Sequence, residues 1–438
     1  MECRLGKKVV SEIMFMLVLL TIGMLSLAFN IQPARSTPKT WYVDDDGPAD
    51  FHTIREAINA ANDGDTIFVY NGTYYEKVVL NKRVLLVGEH PESTIIDGGG
   101  SYGSVVNIVA VDKVKFAGFT VRNSGRDYYL RAGVVISSSR NVVVGNRVVN
   151  NLNGIVVYGS SNTVSGNNVT NNGDGIYLYG SSNNTIAGNY VAYNEDGIVL
   201  IESSNNNTVV GNNLANNRYY GILITWSSNY NTAYHNKFVN NNPQAHVFKS
   251  TNNDWDDGYP SGGNYWSDYD GADADGDGIG DIPYVIDDYN RDGYPLMGPF
   301  DTFDVGTWNG QEFNVDVVSS STVSNFQLDK TLKTISFNVA GVEGTAGFCR
   351  ITVPNIIVQD LWHGNYTVLL NGEPWPFRNW TDATNTYIYV NYTHSEHQIV
   401  IIPEFPSSIA LLGFLMLITI PLIFMKKGQQ TRKANERT

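Results

Sequence analysis

Cysteine is almost missing from this sequence. Cys3 stands near the start and Cys349 far away toward the end, so there is no disulfide framework and the fold must hold itself by packing and hydrogen bonds. Charge is scarce too, at 16% of 438 residues, and lopsided: 29 Lys and Arg face 43 Asp and Glu. Setting aside the basic ends, residues 1–36 and 426–438, leaves 20 basic against 40 acidic side chains. A body so negative argues against nucleic acid as a partner. The Leu-x-x-Leu-x-Leu pattern is absent, which removes a leucine-rich repeat. What is plentiful, 42 Gly, 26 Tyr and long runs of Asn, Ser and Gly, is the make-up of a β-rich, turn-rich chain rather than a helical bundle.

The ends read as export and anchoring. Lys7 and Lys8 precede an apolar stretch from Ile13 to Phe29, and Ala34-Arg35-Ser36 suits a signal peptidase, so residues 1–36 are expected to be a secretory signal peptide. Residues 403–438 contain a second apolar segment, Ile409 to Met425, followed by Lys426, Lys427, Arg432, Lys433 and Arg437. That length spans hydrocarbon, and the positive flank places the C-terminus in the cytoplasm, leaving the body on the outer face of the membrane. Just before it, Pro403-Glu404-Phe405-Pro406 resembles the PEF-type sorting signals that archaeosortases recognise. The resemblance implies a sortase-like processing enzyme as a partner and a tail that is cleaved.

Between Ala132 and Asn253 the chain repeats every 21 to 24 residues, with copies starting at Gly133, Gly154, Gly175, Gly197 and Gly221. Aligned on those glycines, the copies share a Ser column (Ser139, Ser160, Ser181, Ser203, Ser227) and an Asn column (Asn141, Asn162, Asn183, Asn205, Asn229). Two further Asn columns follow: Asn146, Asn167, Asn189, Asn212, Asn236, and Asn151, Asn172, Asn194, Asn217, Asn241. Asn tolerates left-handed backbone, and its amide can bond the same amide one rung away, so stacked Asn suits the bends of a coil. Between the bends Ile155 and Val157, Ile176 and Leu178, Ile198 and Leu200, and Ile222 and Ile224 alternate with other residues, as strands lining an interior do. Three such runs per period predict a triangular coil, a right-handed parallel β-helix over residues 37–300. Thr53-Ile54-Arg55-Glu56 reads as a capping box opening a short helix that covers the first coils. Residues 302–402, with short strands separated by Gly, Asn and Pro turns, are expected to form an immunoglobulin-like β-sandwich.

The opening Trp41-Tyr42-Val43-Asp44 through Gly88-Glu89, the Gly-Asn repeats and Gly263-Asn264-Tyr265-Trp266-Ser267-Asp268-Tyr269 together resemble a pectin-lyase-like β-helix family. This family is named for the nitrous-oxide-reductase maturation protein NosD. The likeness runs on through Asp273–Tyr284 to Tyr294-Pro295-Leu296-Met297. It implies either copper binding or carbohydrate binding and sugar hydrolysis.

Four constellations could carry chemistry. Asp273, Asp275 and Asp277 alternate before Gly278, with Asp281 at the ninth position of the loop, as in the first half of a calcium loop. Tyr284 occupies the twelfth position, where a bidentate acid is usual; Asp268, Asp287 or Asp288 are possible substitutes. Asp174 and Asp196 fall at the same place in successive rungs, so their carboxylates are expected about 5 Å apart, the spacing of a glycosidase pair, although Asp-Gly is also an ordinary turn. With Asp127 they would be the acids of a polysaccharide lyase or hydrolase. Tyr158, Tyr177, Tyr179 and, one rung on, Trp226 form an outward aromatic stripe on which sugar rings could stack, or which another part of the chain could cover. Copper would need thiolate, thioether or imidazole ligands, and only His394 and His397 pair, so it carries little weight. Seven Asn-x-Ser/Thr sequons (Asn71, Asn168, Asn183, Asn206, Asn365, Asn379, Asn391) suit an exported glycoprotein. The expectation is a calcium-stabilised surface protein binding a polysaccharide or similar polymer.

Overall fold

Each rung of the solenoid closes as a triangle because short apolar runs alternate with corners turned by left-handed residues. The computed structural model describes residues 37–126 and 131–404. The segments expected to be a signal peptide and a membrane anchor, and the candidate acid Asp127, lie outside the described residues. Among those described, no helix is long and apolar enough to cross a membrane.

Three parallel sheets form the coil. Sheet I has eight strands, from Val78–Leu80 to Ala245–Phe248. Sheet II has nine, from Thr40–Val43 to Thr232–Tyr234, and sheet III nine, from Gly72–Tyr74 to Tyr265–Trp266. The crossovers wind in the right-handed sense that twisted parallel strands impose. The aliphatics expected inside are inside: Ile155, Val157, Ile176, Leu178, Ile198 and Leu200 are 0% exposed. The repeat's glycines have a steric cause. A Cβ on Gly175 would lie 2.5 Å from the Gly197 carbonyl oxygen and 3.0 Å from the Asn194 amide nitrogen, and the same clash recurs at Gly154 and Gly197.

The corners carry three buried asparagine ladders. Asn189 shows the pattern: its Oδ1 accepts from the backbone N–H (3.0 Å) and side-chain amide (3.0 Å) of Asn167 in the rung before. Its own N–H and amide donate to Asn212 Oδ1, both at 2.9 Å, and the amide also donates to the Val164 carbonyl. A left-handed residue precedes each rung's Asn, as Gly188 (φ 61°), Asn183 (φ 58°) and Tyr193 (φ 57°) do in one turn of the coil. This corrects the first Asn column. Beyond Asn162 its buried members are Asn184, Asn207, Asn231 and Asn253, bonded in series, while Asn183 is the exposed left-handed residue beside the ladder. The Ser column slips likewise: after Ser181 its buried members are Ser204, Ser228 and Ser250, not Ser203 and Ser227. Rungs lengthen at this corner, so counting from the glycines loses register there.

Both ends of the solenoid are covered. At the start, helix Ile54–Ala60 is capped by the Thr53 side chain, and Glu76 accepts the N–H groups of Ile54 and Arg55. At the other end the Asn-Tyr-Trp-Ser-Asp-Tyr segment is the cap itself. Asn264 takes the last rung of its ladder from Asn236, and Trp266 stacks on Phe238 (4.3 Å) and Tyr284 (4.2 Å). Asp292 then terminates the ladder, accepting from the Asn264 N–H (2.7 Å) and the Trp266 indole (2.8 Å).

Residues from Phe300 onward form two five-stranded antiparallel sheets around one core. One runs in the order 300–308, 311–319, 346–354, 385–393, 378–381; the other 322–329, 334–340, 397–403, 366–370, 373–374. Helix Asn355–Trp362, which the strand pattern did not reveal, buries Ile357, Val358, Leu361 and Trp362 against that core. The sandwich meets the solenoid cap. Arg350, 1% exposed, donates to the carbonyls of Pro260 (3.2 Å) and Ser261 (3.0 Å), Arg378 donates to those of Asp275 and Gly276, and Phe300 stacks on His235 at 3.9 Å.

Candidate functional site

The outer face of sheet I concentrates the candidate residues in three in-register columns. The first column contains Asn153, Asp174 and Asp196; the second Val135, Val156, Tyr177, Val199, Leu223 and His246; the third Tyr179 and Ile201. Tyr158 is adjacent to the third column, its ring 6.0 Å from that of Tyr179. The Tyr177 and Tyr179 rings lie nearly parallel, 6.5 Å apart, and all three tyrosines are half-buried. Tyr158 and Tyr177 pack on Ala132, Val135 and Val156.

Trp226 does not belong to the stripe. Thr225 pairs with Phe248, which places Trp226 in the turn after its strand, at φ 52°, with the Lys249 ammonium 3.9 Å from its ring centre. Counted from the repeat glycines, Thr225 rather than Trp226 is the equivalent of Tyr179 and Ile201, and a one-residue shift moves a side chain off its face.

Asp174 and Asp196 are direct strand partners, as expected. Burial pushes the Asp174 carboxyl up to about 7, and the charges of Asp196 and Glu195 push the same way. Asp196 is raised as well, chiefly by burial, while the Tyr220 N–H it accepts at 3.1 Å opposes the rise. Two stacked carboxyls thus hold a proton near neutrality, with Asp174 as its seat.

A second cluster lies in the cap. One carboxylate oxygen from each of Asp273, Asp275 and Asp277 lies within 4.8 Å of the others. The loop is pre-shaped: Asp273 accepts the N–H groups of Asp277 (3.0 Å) and Gly278 (2.9 Å), and Asp277 that of Ile279 (2.8 Å). Asp281 stands outside this triplet and accepts from Ala274 N–H at 2.6 Å. Burial raises Asp275, with the charges of Asp277 and Asp273 adding, the tension a divalent cation relieves. Tyr284, at the twelfth position, is used for packing and reaches Asp268 at 3.2 Å. Asp44, Asp45 and Asp46 form another such triplet, whose only sequence signal is three consecutive aspartates. Among the described residues both metal-sized triplets are all carboxylate, donors for a hard cation. His394 and His397 hydrogen-bond to different partners, Ser321 and Thr345 for the one, Asn371 and Thr393 for the other. The seven sequon asparagines are all exposed, and none is a rung of the buried ladders.

Residues 58–271 match the family model described as periplasmic copper-binding protein (NosD). No curated protein sequence matches the chain. Among solved structures, pectate lyase Pel9A is similar at 15% identity, over 56% of this chain and 83% of its own, with a TM-score of 0.36. Pectin methylesterase from carrot follows at 16% identity, 53% and 87% coverage and a TM-score of 0.27. The tailspike gp49 of Acinetobacter baumannii bacteriophage Fri1, a capsular polysaccharide depolymerase, is 10% identical over 86% of this chain and 87% of its own, with a TM-score of 0.33. None of these three likenesses bears on what the chain does.

Proposed function

Residues 58–271 coil as a NosD-type right-handed β-helix, and from that scaffold we propose an exported, membrane-anchored surface protein that binds a carbohydrate polymer on the outer face of sheet I. The observation that carries this reading is the trio Tyr158, Tyr177 and Tyr179. These half-buried aromatics lie side by side on a flat sheet, where no turn geometry calls for them and where the C–H faces of sugar rings can stack. The net negative charge favours a neutral polymer over an acidic one. In affinity electrophoresis of the full chain against a panel of neutral polysaccharides, Tyr177→Ala with Tyr179→Ala should weaken retention about fivefold, from ~1 kcal/mol of stacking. Trp226→Ala should leave it unchanged. Equal retention of all variants would remove the face as the binding surface.

The raised Asp174 carboxyl beside Asp196 favours one second reading, a glycoside hydrolase or lyase in which a protonated Asp174 is the general acid. Asp174→Asn or Asp196→Asn would then abolish product formation while sparing retention, whereas a binding protein releases no product with either form.

Calcium belongs to the same proposal as a structural ion of the Asp273, Asp275 and Asp277 loop. It should raise the melting temperature, by about 2.7 kcal/mol of stability at a hundredfold excess over Kd, and Asp275→Ala with Asp277→Ala should cancel the rise. A calorimetric titration without uptake would exclude it.

A further inference from the structure

The sandwich holds a nucleophile and base that the polymer-binding reading does not use. Ser321 lies in the two-residue connection between strands 311–319 and 322–329, where the chain passes from one sheet to the other. Its Oγ is 2.8 Å from His394 Nε2 and 2.8 Å from the Tyr392 hydroxyl. On the far side of the imidazole, Nδ1 is 2.6 Å from Thr345 Oγ1, which lies 2.7 Å from the Val342 carbonyl oxygen.

Counting protons fixes the direction of every bond. The Val342 carbonyl only accepts, so the single hydroxyl proton of Thr345 goes there, and Thr345 must accept from Nδ1–H. Nε2 then carries the lone pair and accepts the Ser321 proton, while Tyr392 donates to Ser321 Oγ. This is the tautomer a general base needs, with a third group orienting the ring. The ring is seated with care. A Cβ on Gly341 would lie 2.3 Å from an imidazole atom and one on Gly347 2.6 Å, so two strand ends give up their side chains to it. Ser321 also borders a cavity of about 380 Å³ where the solenoid meets the sandwich, lined by Lys237, Tyr265, Met297, Asp301 and Ser320.

We infer that Ser321, activated by His394, is the nucleophile of a hydrolytic site that accepts a small acyl ester from this cavity. Ser321 Oγ attacks the ester carbonyl carbon as its proton passes to Nε2. The tetrahedral intermediate collapses, the ester C–O bond breaks, and the leaving alcohol takes the proton from His394. Water then gives a proton to Nε2 and attacks the acyl carbon, and the carboxylic acid leaves as Ser321 recovers its proton. Lys237 supplies a positive charge in the cavity wall for the intermediate's oxyanion. The small volume restricts the acyl group to a short one.

The test uses the full-length protein with a fluorophosphonate probe, read by peptide mass, and with p-nitrophenyl acetate turnover. One adduct is expected, on Ser321. Ser321→Ala should remove the adduct and bring turnover to background while the circular dichroism spectrum stays unchanged. His394→Gln should slow labelling about a hundredfold, the size of lost general-base assistance. Should that variant not fold, Thr345→Val carries the test, because valine cannot accept the Nδ1–H bond and the base loses its orientation; slower labelling is expected. Folded wild-type protein that leaves Ser321 unmodified, or labelling at an undiminished rate in Thr345→Val, would overturn the inference.

Discussion

The solenoid and the sandwich are both built from strands, yet they dispose of buried polar groups in opposite ways. The solenoid places asparagines inside its corners and pairs each with the next rung, so its polar interior is as regular as its apolar one. The sandwich keeps its core apolar, from Val315 and Val317 to Ile399 and Ile401, and its buried polar groups, Arg350, Thr386 and the hydroxyl–imidazole chain around Tyr392 and His394 among them, form no repeat. A ladder shares its bonds among identical neighbours, whereas a unique network stands or falls with each member. The first arrangement tolerates added rungs; the second holds one geometry, as a site requires.

That contrast is tested most severely inside a ladder. Asn189→Leu removes the acceptor of the Asn167 N–H and side-chain amide and the amide donor of the Val164 carbonyl, leaving Asn212 Oδ1 only the backbone N–H of residue 189, so a loss of about 3 kcal/mol is expected from several buried groups. Asn183→Gly, at the exposed left-handed neighbour, should stay within about 0.5 kcal/mol. Thermal unfolding of the two variants side by side checks both, and equal melting temperatures would make the ladder decoration.

The joint between the two regions comes next. Arg350→Met removes the donors of the Pro260 and Ser261 carbonyls and leaves Asp277, otherwise beside a buried guanidinium, without it. A loss of about 2 kcal/mol is expected, with calorimetry resolving two transitions where the native protein gives one. A single transition in the variant would show that the halves unfold together without this residue.

The last comparison concerns pH. Asp174 titrates near 7 in the folded chain against 3.8 ordinarily, so the folded state binds its proton more tightly. The stability this contributes is present in full below pH ~4 and is lost as pH rises through 7. Asp174→Asn should therefore flatten the decline in melting temperature between pH 5 and 8 and raise it at pH 8. A parallel displacement of the whole curve would deny the raised value.

The regions also differ in how much of them could be read beforehand. The solenoid's period, its inward aliphatics, its two faithful Asn columns and the Asp174–Asp196 pairing were all legible, because in a coil a residue's neighbours in space are its equivalents one period away. Register failed where rung length changed, which misplaced Asn183, Asn205 and Asn229, while Trp226 stands one place past the stripe position that Thr225 holds. In the sandwich the short strands between Gly, Asn and Pro turns were legible, but not helix Asn355–Trp362 or the pairing of strand 346–354 with strand 385–393. Antiparallel partners distant in sequence carry no repeat to align.

Spacing and residue type alone determined the coil, its hydrophobic lining and the alternating aspartates before Gly278, since each depends on periodicity or on a local turn. The closure of the cap by Asp292 and the meeting of Ser321 with His394 depend on contacts across 28 and 73 residues. Such contacts leave no mark in sequence order, because the groups are brought together only by the folding of everything between them.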